Sequence, residues 1–400
     1  MRILFVCRML PHSLARDSGR LDTYHYITAL SQEHELTLVA FVPPEDEVGL
    51  EGMQQLCQKV VGIAYQPHAL VPRLRRAWHR FWQPKVYGRN HSRQYVLALK
   101  KLVAAGSFDV AVVDGMMAEY GRYLNPIPAV LDEVDIFSTV AHQYFRDESR
   151  WLPKMWNGFD WLRTTVRETT HLQQFAGIFV RSAKDEQLIR EFAPQQKIAI
   201  LPPWFEGLAE LTAIPINRSE TPRLLFVGAM NIPANITAVT FFVEKVFPLI
   251  TSQRPDVQFD IVGSRPTAAV QALGKLPNVQ VTGDVPSLTP YYAKADMVVV
   301  PLFTGGGIIV KTLNGLASGR PVMTTIIGNS GTGARDGRDL RIVSAQPEGM
   351  ATAILEVLAD DGEWLRLAEN GRKFIQTHYD WSQTTANMVQ FLQSVSQQRT

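Results

Sequence analysis

The chain has 400 residues, 46% hydrophobic and 20% charged, with a net charge of +2. That balance excludes a disordered chain, says nothing of partners, and at this length suits two domains of roughly 200 residues each. Cys7 and Cys57 are the only cysteines, which excludes a disulfide framework or a zinc-finger set and points to a reducing, cytoplasmic compartment.

Residues 3–7 (ILFVC) form a short apolar strand. Five apolar residues fall below the roughly 7–15 of a signal-peptide core, so no signal peptide is expected. Residues 21–31 carry helical periodicity, and ELTLVAFV (35–42) reads as a second buried strand. Four more apolar runs follow at 109–115, 129–135, 177–182 and 197–201. Continuous runs of this length between helical stretches indicate a parallel sheet covered on both faces. The proline-containing segment 202–222 lacks periodicity and marks the expected linker. The rhythm then restarts, with strands expected at 223–230, 257–264, 279–284, 296–303 and 320–325. No run approaches the roughly 20 apolar residues of a membrane span, so any membrane contact is expected to be peripheral.

The expected fold class is therefore α/β, with two doubly wound Rossmann-like domains in tandem. Ligands sit beyond the carboxyl ends of strands in such sheets, and two facing domains would enclose a cleft. Periplasmic binding proteins and some epimerases share that plan, so fold alone does not decide function.

The segment PLFTGGGIIVKTLNGLASGRPV (301–322) carries the most chemistry. A strand ends at Phe303, three glycines follow, and a helix is expected from about 308 to 318. Glycines ahead of a helix expose backbone amides and the positive end of its dipole, an anion site. Lys311 lies on the first turn, with Asn314 and Ser318 on its face, while Leu313, Leu316 and Ala317 should pack on the sheet. One reading places a diphosphate at Gly305, Gly306 and Gly307 beside Lys311. In the other, the glycines only make a tight turn and the lysine is solvated.

This segment resembles the donor-binding signature of family 4 retaining glycosyltransferases (glycosyl transferases group 1), in the branch written G-x-G-I-[RK]-x-K-x-x-E-A-L-A-x-G-x-P-V. Gly305, Gly307, Ile308, Lys311, Leu316, Ala317, Gly319, Pro321 and Val322 match. LLFVGAMNIPANITAV (224–239) resembles the family's first carboxy-terminal-domain strand and its N-x-P-N loop. FDIVGSRP (259–266) and 279–302 resemble the next elements, and HYDW (378–381) the motif before the last helix. Residues 3–39 resemble its first strand, loop and helix. The resemblance implies a GT-B architecture: an acceptor-binding domain at 1–202, a linker at 203–222, a nucleotide-sugar-binding domain at 223–378, and a helix at 379–400 that crosses back. It implies a retaining transferase with a nucleotide-sugar donor and a glycan, lipid-linked or small-molecule acceptor. It implies no metal or other cofactor, because relatives neutralise the diphosphate with lysine, arginine and a helix N-terminus.

The chain departs from that pattern. Of the family's two glutamates eight positions apart, the first is replaced by Gly306, as this branch expects, and the second by Asn314. Position 309, usually basic, is Ile309, and GAMN (228–231) lacks an arginine common in relatives. The resemblance assigns the donor to Gly305, Gly306, Gly307, Ile308, Lys311, Asn314 and Asn231; from position in the sequence alone, Arg265 or Arg20 could supply the replacement charge. DSGR (17–20) lies where relatives approach the diphosphate, which adds Ser18 and Gly19. The alternative there is a polar loop capped by Asp17 or Ser18.

Glu133 and Asp135 follow a strand end where relatives place a histidine or an acid near the reacting sugar. In that role they orient the acceptor or stabilise an oxocarbenium-like transition state. Alternatively they are helix N-terminal acids. His142 reads as an ordinary helix residue. From Gly52 to Phe108 there are ten Lys/Arg and no Asp or Glu. Within 72–93, Trp78, Phe81 and Trp82 make an apolar stripe among arginines. This reads either as a surface for an anionic membrane or acidic acceptor, or as a packed helix with a solvated face. No nucleic-acid motif accompanies it. A non-catalytic homologue acting as a binding subunit is the alternative function. A nicotinamide dehydrogenase is disfavoured, because no G-x-G-x-x-G follows either opening strand.

Overall fold

The computed structural model describes residues 1–15, 18–65, 84, 86, 90, 92–106, 108–134, 136–205, 207–305 and 307–397, with Ser18 by its backbone alone. The chain divides into two compact units, Met1–Trp204 with Trp381–Thr400, and Phe205–Asp380.

The first unit holds seven parallel strands: β1 (Arg2–Met9), β2 (Glu35–Val42), β3 (Lys59–Ala64), β4 (Val110–Asp114), β5 (Ala129–Asp132), β6 (Gly177–Val180) and β7 (Ile198–Ile200). They lie in the order β3-β2-β1-β4-β5-β6-β7. This doubly wound order turns back between β1 and β4, where loops diverge and a crevice opens at the carboxyl ends. The sequence reads as unbroken apolar runs because both faces are buried. Ile3 and Phe5 pack on one face with Leu36, Leu38, Val110 and Val112. Leu4 and Val6 pack on the other with Val39, Ala111 and Val113. The last helix, Trp381–Ser396, buries Met388, Leu392 and Val395 on the Ile3 face.

The second unit repeats the plan with β8 (Arg223–Val227), β9 (Gln258–Val262), β10 (Val279–Val281), β11 (Met297–Val300), β12 (Val322–Thr324) and β13 (Arg341–Ile342). Their order is β10-β9-β8-β11-β12-β13, all parallel, with the turning point between β8 and β11. Two strands were not among those expected. β3 is an edge strand with only Ile63 fully buried, and β13 has only two residues. The expected strand 109–115 stops at Asp114, because its side chain accepts a bond from the Met116 amide at 2.8 Å and starts a 3₁₀ turn.

The segment expected to link the domains changes hands at Trp204. Beyond it, Phe205, Leu211 and Ile214 are buried in the second unit's core. The fully buried Arg320 donates to the carbonyls of Pro215, Asn217, Tyr292 and Ala293. Asp296 accepts from the amides of Ser219 and Arg223. One helix, Pro233–Thr251, is long and apolar enough to cross a membrane by length and composition. Its Ala238, Val239, Phe242, Val246 and Ile250 are core residues of the second unit.

Candidate functional site

In the second unit, β8 ends at Val227 and the chain turns at Gly228 into the helix that starts at Pro233. Lys311 is the second residue of the helix Val310–Ala317. Its Nζ donates to Asn235 Oδ1 at 2.6 Å and lies 4.3 Å from the centroid of the Phe226 ring. Asn235 is held in turn by its donation to the Ala229 carbonyl at 2.9 Å. Burial lowers the Lys311 pKa to about 7. Among the described residues no carboxylate pairs with it. An ammonium has three donors, and one neutral acceptor leaves it under-satisfied where water is scarce.

Backbone makes the space around it. A Cβ on Gly228 would sit 2.8 Å from both Lys311 Nζ and Asn235 Nδ2. A Cβ on Gly263, whose φ is +148°, would meet the Gly228 carbonyl oxygen at 1.9 Å. Glycine is therefore required at position 263 for the strand ends to approach, while a side chain at Gly228 would displace the Lys311 and Asn235 side-chain ends. Gly305 and Gly307 are exposed, and Gly307 is left-handed with φ +65°. The helix begins at Val310, two residues later than expected, because Ile309 is extended and donates its amide to the Ser330 carbonyl at 3.3 Å. No side chain caps that helix start, which leaves first-turn amides to water or a ligand. Thr312 Oγ1 donates to the Gly328 carbonyl at 2.6 Å and anchors the helix to the loop that follows β12.

The other donor residues are dispersed. Asn231 is exposed, and the asparagine that meets Lys311 is Asn235. Arg265 is exposed on a left-handed backbone, φ 52°, beyond β9. Asn314 lies beside Tyr292, whose phenol is driven up by burial against a smaller opposing pull from Asn314. Neither Asn314 Oδ1 nor the Tyr292 hydroxyl has a well-formed hydrogen bond. Gly306, Asp17, Asp135 and most of 72–93, including the four arginines from 73 to 80, lie outside the described residues.

In the first unit a cavity of about 440 Å³ opens at the carboxyl ends of β1, β4 and β5, where Arg8, Gly19, Arg20, Asp114, Asp132 and Phe137 line it. Asp114 and Asp132 are partners in register on adjacent strands, so two acids meet at one edge. Arg181 relieves one of them, donating to both Asp132 oxygens at 2.8 and 3.1 Å. The same guanidinium lies 3.4 Å from Asp22. Burial raises Asp22 to about 7 against the pull of Arg181. Asp114 receives only the amides of Met116 and Arg8, and burial, with Asp132 adding to it, raises its pKa to about 6.

Gly19 lies on this cavity and Ser18 starts the helix Ser18–Leu30. Arg20 is engaged within its own unit: it donates to the Leu10 carbonyl and to Asp46 at 2.7 Å. Glu133 is buried beside Gly115, where an added Cβ would come within 2.8 Å of Glu133 Oε2, and is not among the residues that line the cavity. Its neighbour Asp132 lines the cavity instead. The sequence signal for the Asp114–Asp132 pair was present, since adjacent apolar strands each end in aspartate. Nothing marked Asp22 and Arg181, which the topology brings together from 159 positions apart. Among the described residues no three His, Cys, Asp or Glu side chains form a metal-ligand group.

Two parallel-sheet α/β units in tandem, the last helix returning to the first, constitute the GT-B fold. Solved structures bear this out over the whole length. Sucrose-phosphate synthase from Thermosynechococcus elongatus matches with a TM-score of 0.68 at 16% identity, covering 99% of each chain. HepE from Anabaena, solved in complex with UDP, matches with a TM-score of 0.65 at 12% identity, covering 98% of this chain and 100% of that one. Residues 221–360 match the model of the family described as glycosyl transferases group 1. A Klebsiella pneumoniae protein described as an uncharacterized 44.6 kDa protein in the cps region is 25% identical over 165 residues. That match spans 39% of this chain and 42% of the relative's length.

Proposed function

We propose that the protein transfers a sugar from a nucleoside-diphosphate sugar to an acceptor, with retention of configuration, in synthesis of an envelope or capsular glycan. The observation that carries the reading is Lys311, a buried cation whose hydrogen-bonding partner in the protein is a neutral asparagine. A diphosphate between Gly228, the 305–307 loop and the helix start would supply the missing negative charge. HepE, of the same fold, is solved with UDP and with UDP-glucose, which supports a uridine nucleotide as the first donor to try. The cps-region relative supports a capsular setting.

In this reading the Asp114–Asp132 cavity receives the acceptor. Carboxylates accept from sugar hydroxyls, and an acid poised near neutrality can take or hold a proton. The lysine and the helix N-terminus serve in place of a metal. The setting is cytoplasmic, with the basic stretch 72–93 toward an anionic surface.

The test is a thermal-shift screen of nucleoside diphosphates against wild type and Lys311→Ala, since a ligand specific for the folded state raises Tm by mass action. Stabilisation of wild type and its loss in the variant support the assignment. Equal shifts in both would remove Lys311 from the site. Binding without transfer to any glycan or lipid-linked acceptor would favour a non-catalytic subunit, the reading that Asn314 in place of glutamate keeps open.

A further inference from the structure

The first unit has a second pocket, at the end of its sheet opposite the Asp114–Asp132 cavity. It holds about 360 Å³ and is built from the segments that lead into β5 and β6. Glu119 and Arg122 come from the 3₁₀ helix Gly115–Tyr123, and Asn125 from the turn before β5. Arg167, His171 and Gln174 come from the last turns of the helix Trp151–Leu172 and the residues just after it. The two cavities have no lining residue in common.

Two permanent cations meet in this pocket. Arg167 and His171 stand four residues apart, on one face of their helix. Burial lowers the pKa of His171 to about 4, and the charges of Arg167 and Arg122 push the same way. The imidazole is therefore neutral at pH 7, and the charge of the pocket is that of two arginines against Glu119. Arg122 is held over the Tyr123 ring, 4.8 Å from its centroid, and Lys100 lies 5.5 Å from the same centroid. Among the described residues neither guanidinium is ion-paired with a carboxylate. Arg122 ends the 3₁₀ helix, where a cation suits the helix dipole. Arg167 lies five residues short of its own helix end, beyond the last turn that the dipole favours. Like charges gathered without a counter-charge repel, and an anionic ligand relieves the repulsion.

We propose that this pocket binds a sugar phosphate. Arg122 and Arg167 would grip the phosphate, whose oxygens suit the fork of a guanidinium. Glu119, Asn125 and Gln174 supply the acceptors and amide donors that sugar hydroxyls require. A volume of about 360 Å³ is at the small end of ligand pockets and suits one sugar ring with its phosphate. The 3₁₀ helix that carries Arg122 also carries Gly115 and Met116, which line the other cavity, so one short element runs between the two. The inference stands on this pocket alone and does not depend on the transfer reaction.

The experiment is calorimetric titration of the full chain with glucose 1-phosphate, glucose 6-phosphate, inorganic phosphate and glucose. Wild type and Lys311→Ala should bind a glucose phosphate with the same affinity, and inorganic phosphate and glucose more weakly. Combining Arg122→Gln with Arg167→Gln should lower that affinity roughly a hundredfold, the effect of losing charged hydrogen bonds. Lys275→Gln, exposed on the other unit, should leave it unchanged. A second measurement needs no variant to fold. On wild type, a glucose phosphate should slow modification of Arg122 and Arg167 by phenylglyoxal, read by mass spectrometry, and leave the exposed Arg146 unprotected. Wild type that binds neither glucose phosphate overturns the proposal. So does full binding by a double variant with a wild-type melt, loss of binding in Lys311→Ala, or bound ligand that leaves Arg122 and Arg167 unprotected. Inorganic phosphate that binds as tightly as the sugar phosphates overturns it too.

Discussion

The two units share a strand plan and treat charge in opposite ways. The second unit's candidate site holds one buried cation facing a neutral partner, with glycines keeping the space in front of it clear. The first unit's cavity gathers carboxylates, with Arg181 bridging Asp22 and Asp132 and Asp114 left to backbone amides. A site short of counter-charge is completed by a ligand that brings it. A site already neutralised within the protein is suited to a neutral, hydroxyl-bearing ligand. The proposed placement of an anionic donor in one unit and a polar acceptor in the other follows this contrast.

The largest effect should come from breaking the internally neutralised network. Arg181→Ala leaves Asp22 and Asp132 buried and unpaired, and should destabilise by about 3–5 kcal/mol at neutral pH. Asp22, which burial already raises to about 7 against the pull of Arg181, would lose that pull and rise further, so the deficit should grow as pH rises through and above 7 and shrink on acidification. Denaturant melts across that range decide it. A deficit independent of pH would mean that lost packing, and not stranded charge, is the cause.

Lys311→Ala should do the reverse, costing little stability and much affinity. With a folded pKa of about 7, below the unfolded 10.5, wild-type Lys311 contributes stability that is fully present above about 10.5 and lost as pH falls through 7. The variant should therefore be as stable as wild type or more so at neutral pH. Nucleoside diphosphate affinity should fall by about 1.5–3 kcal/mol, the scale of a charged hydrogen bond. Wild-type binding should take up a proton near pH 8, visible as a calorimetric enthalpy that varies with buffer ionisation. The same enthalpy in phosphate and Tris would contradict a neutralised resting lysine.

Asp114→Asn separates function from stability in the first unit. Because burial raises Asp114 to about 6 from 3.8, its contribution to stability falls as pH rises through that interval. The asparagine variant should lose this dependence and stay within about 1 kcal/mol of wild type at pH 7. If the cavity takes the acceptor, transfer should drop by a factor of about 10²–10⁴ with donor affinity unchanged. Full activity in this variant would move the acceptor elsewhere.

The smallest change is expected for Asn314→Glu. A longer carboxylate beside the buried Tyr292 hydroxyl offers that phenol an acceptor and restores the residue usual in the family. Donor affinity, read by calorimetry, should hold or improve by up to about tenfold. A large loss would mean that this chain shapes the position for a different donor.

The fold was legible because buried parallel strands write themselves as apolar runs. The strands that escaped, β3 and β13, are an edge strand and a two-residue pairing. Lys311 was legible too, since a glycine loop, a helix start and a basic residue are consecutive in sequence. Its partner was harder to place: Asn231 and Asn235 stand in one loop, and only the turn at Gly228 decides which faces the lysine. The sequence points to Glu133 and Asp135 as the acids at this strand end, and the strand ends one residue earlier, at Asp132, which lines the cavity beside Asp114. Asp22 and Arg181 could not be paired in advance, since their contact is a product of strand order.

One feature of the chain path has a consequence for how such proteins are cut and recombined. The second unit is a single uninterrupted stretch, Phe205–Asp380, bounded by two tryptophans that belong to the first. One helix, Ser18–Leu30, holds both: His25 stacks on Trp204 with 3.5 Å between ring centroids and Tyr26 stacks on Trp381 at 4.9 Å, while Asp22 accepts the Trp204 amide at 2.9 Å. The second unit is thus carried as a cassette, with both splice points fixed on the host side. A truncation after Trp204 would strip the host of Met388, Leu392 and Val395 and open the face that Ile3 and Phe5 bury. Exchanging residues 205–380 between relatives would leave that core closed, so the second unit is the one that can be replaced without unmaking the first.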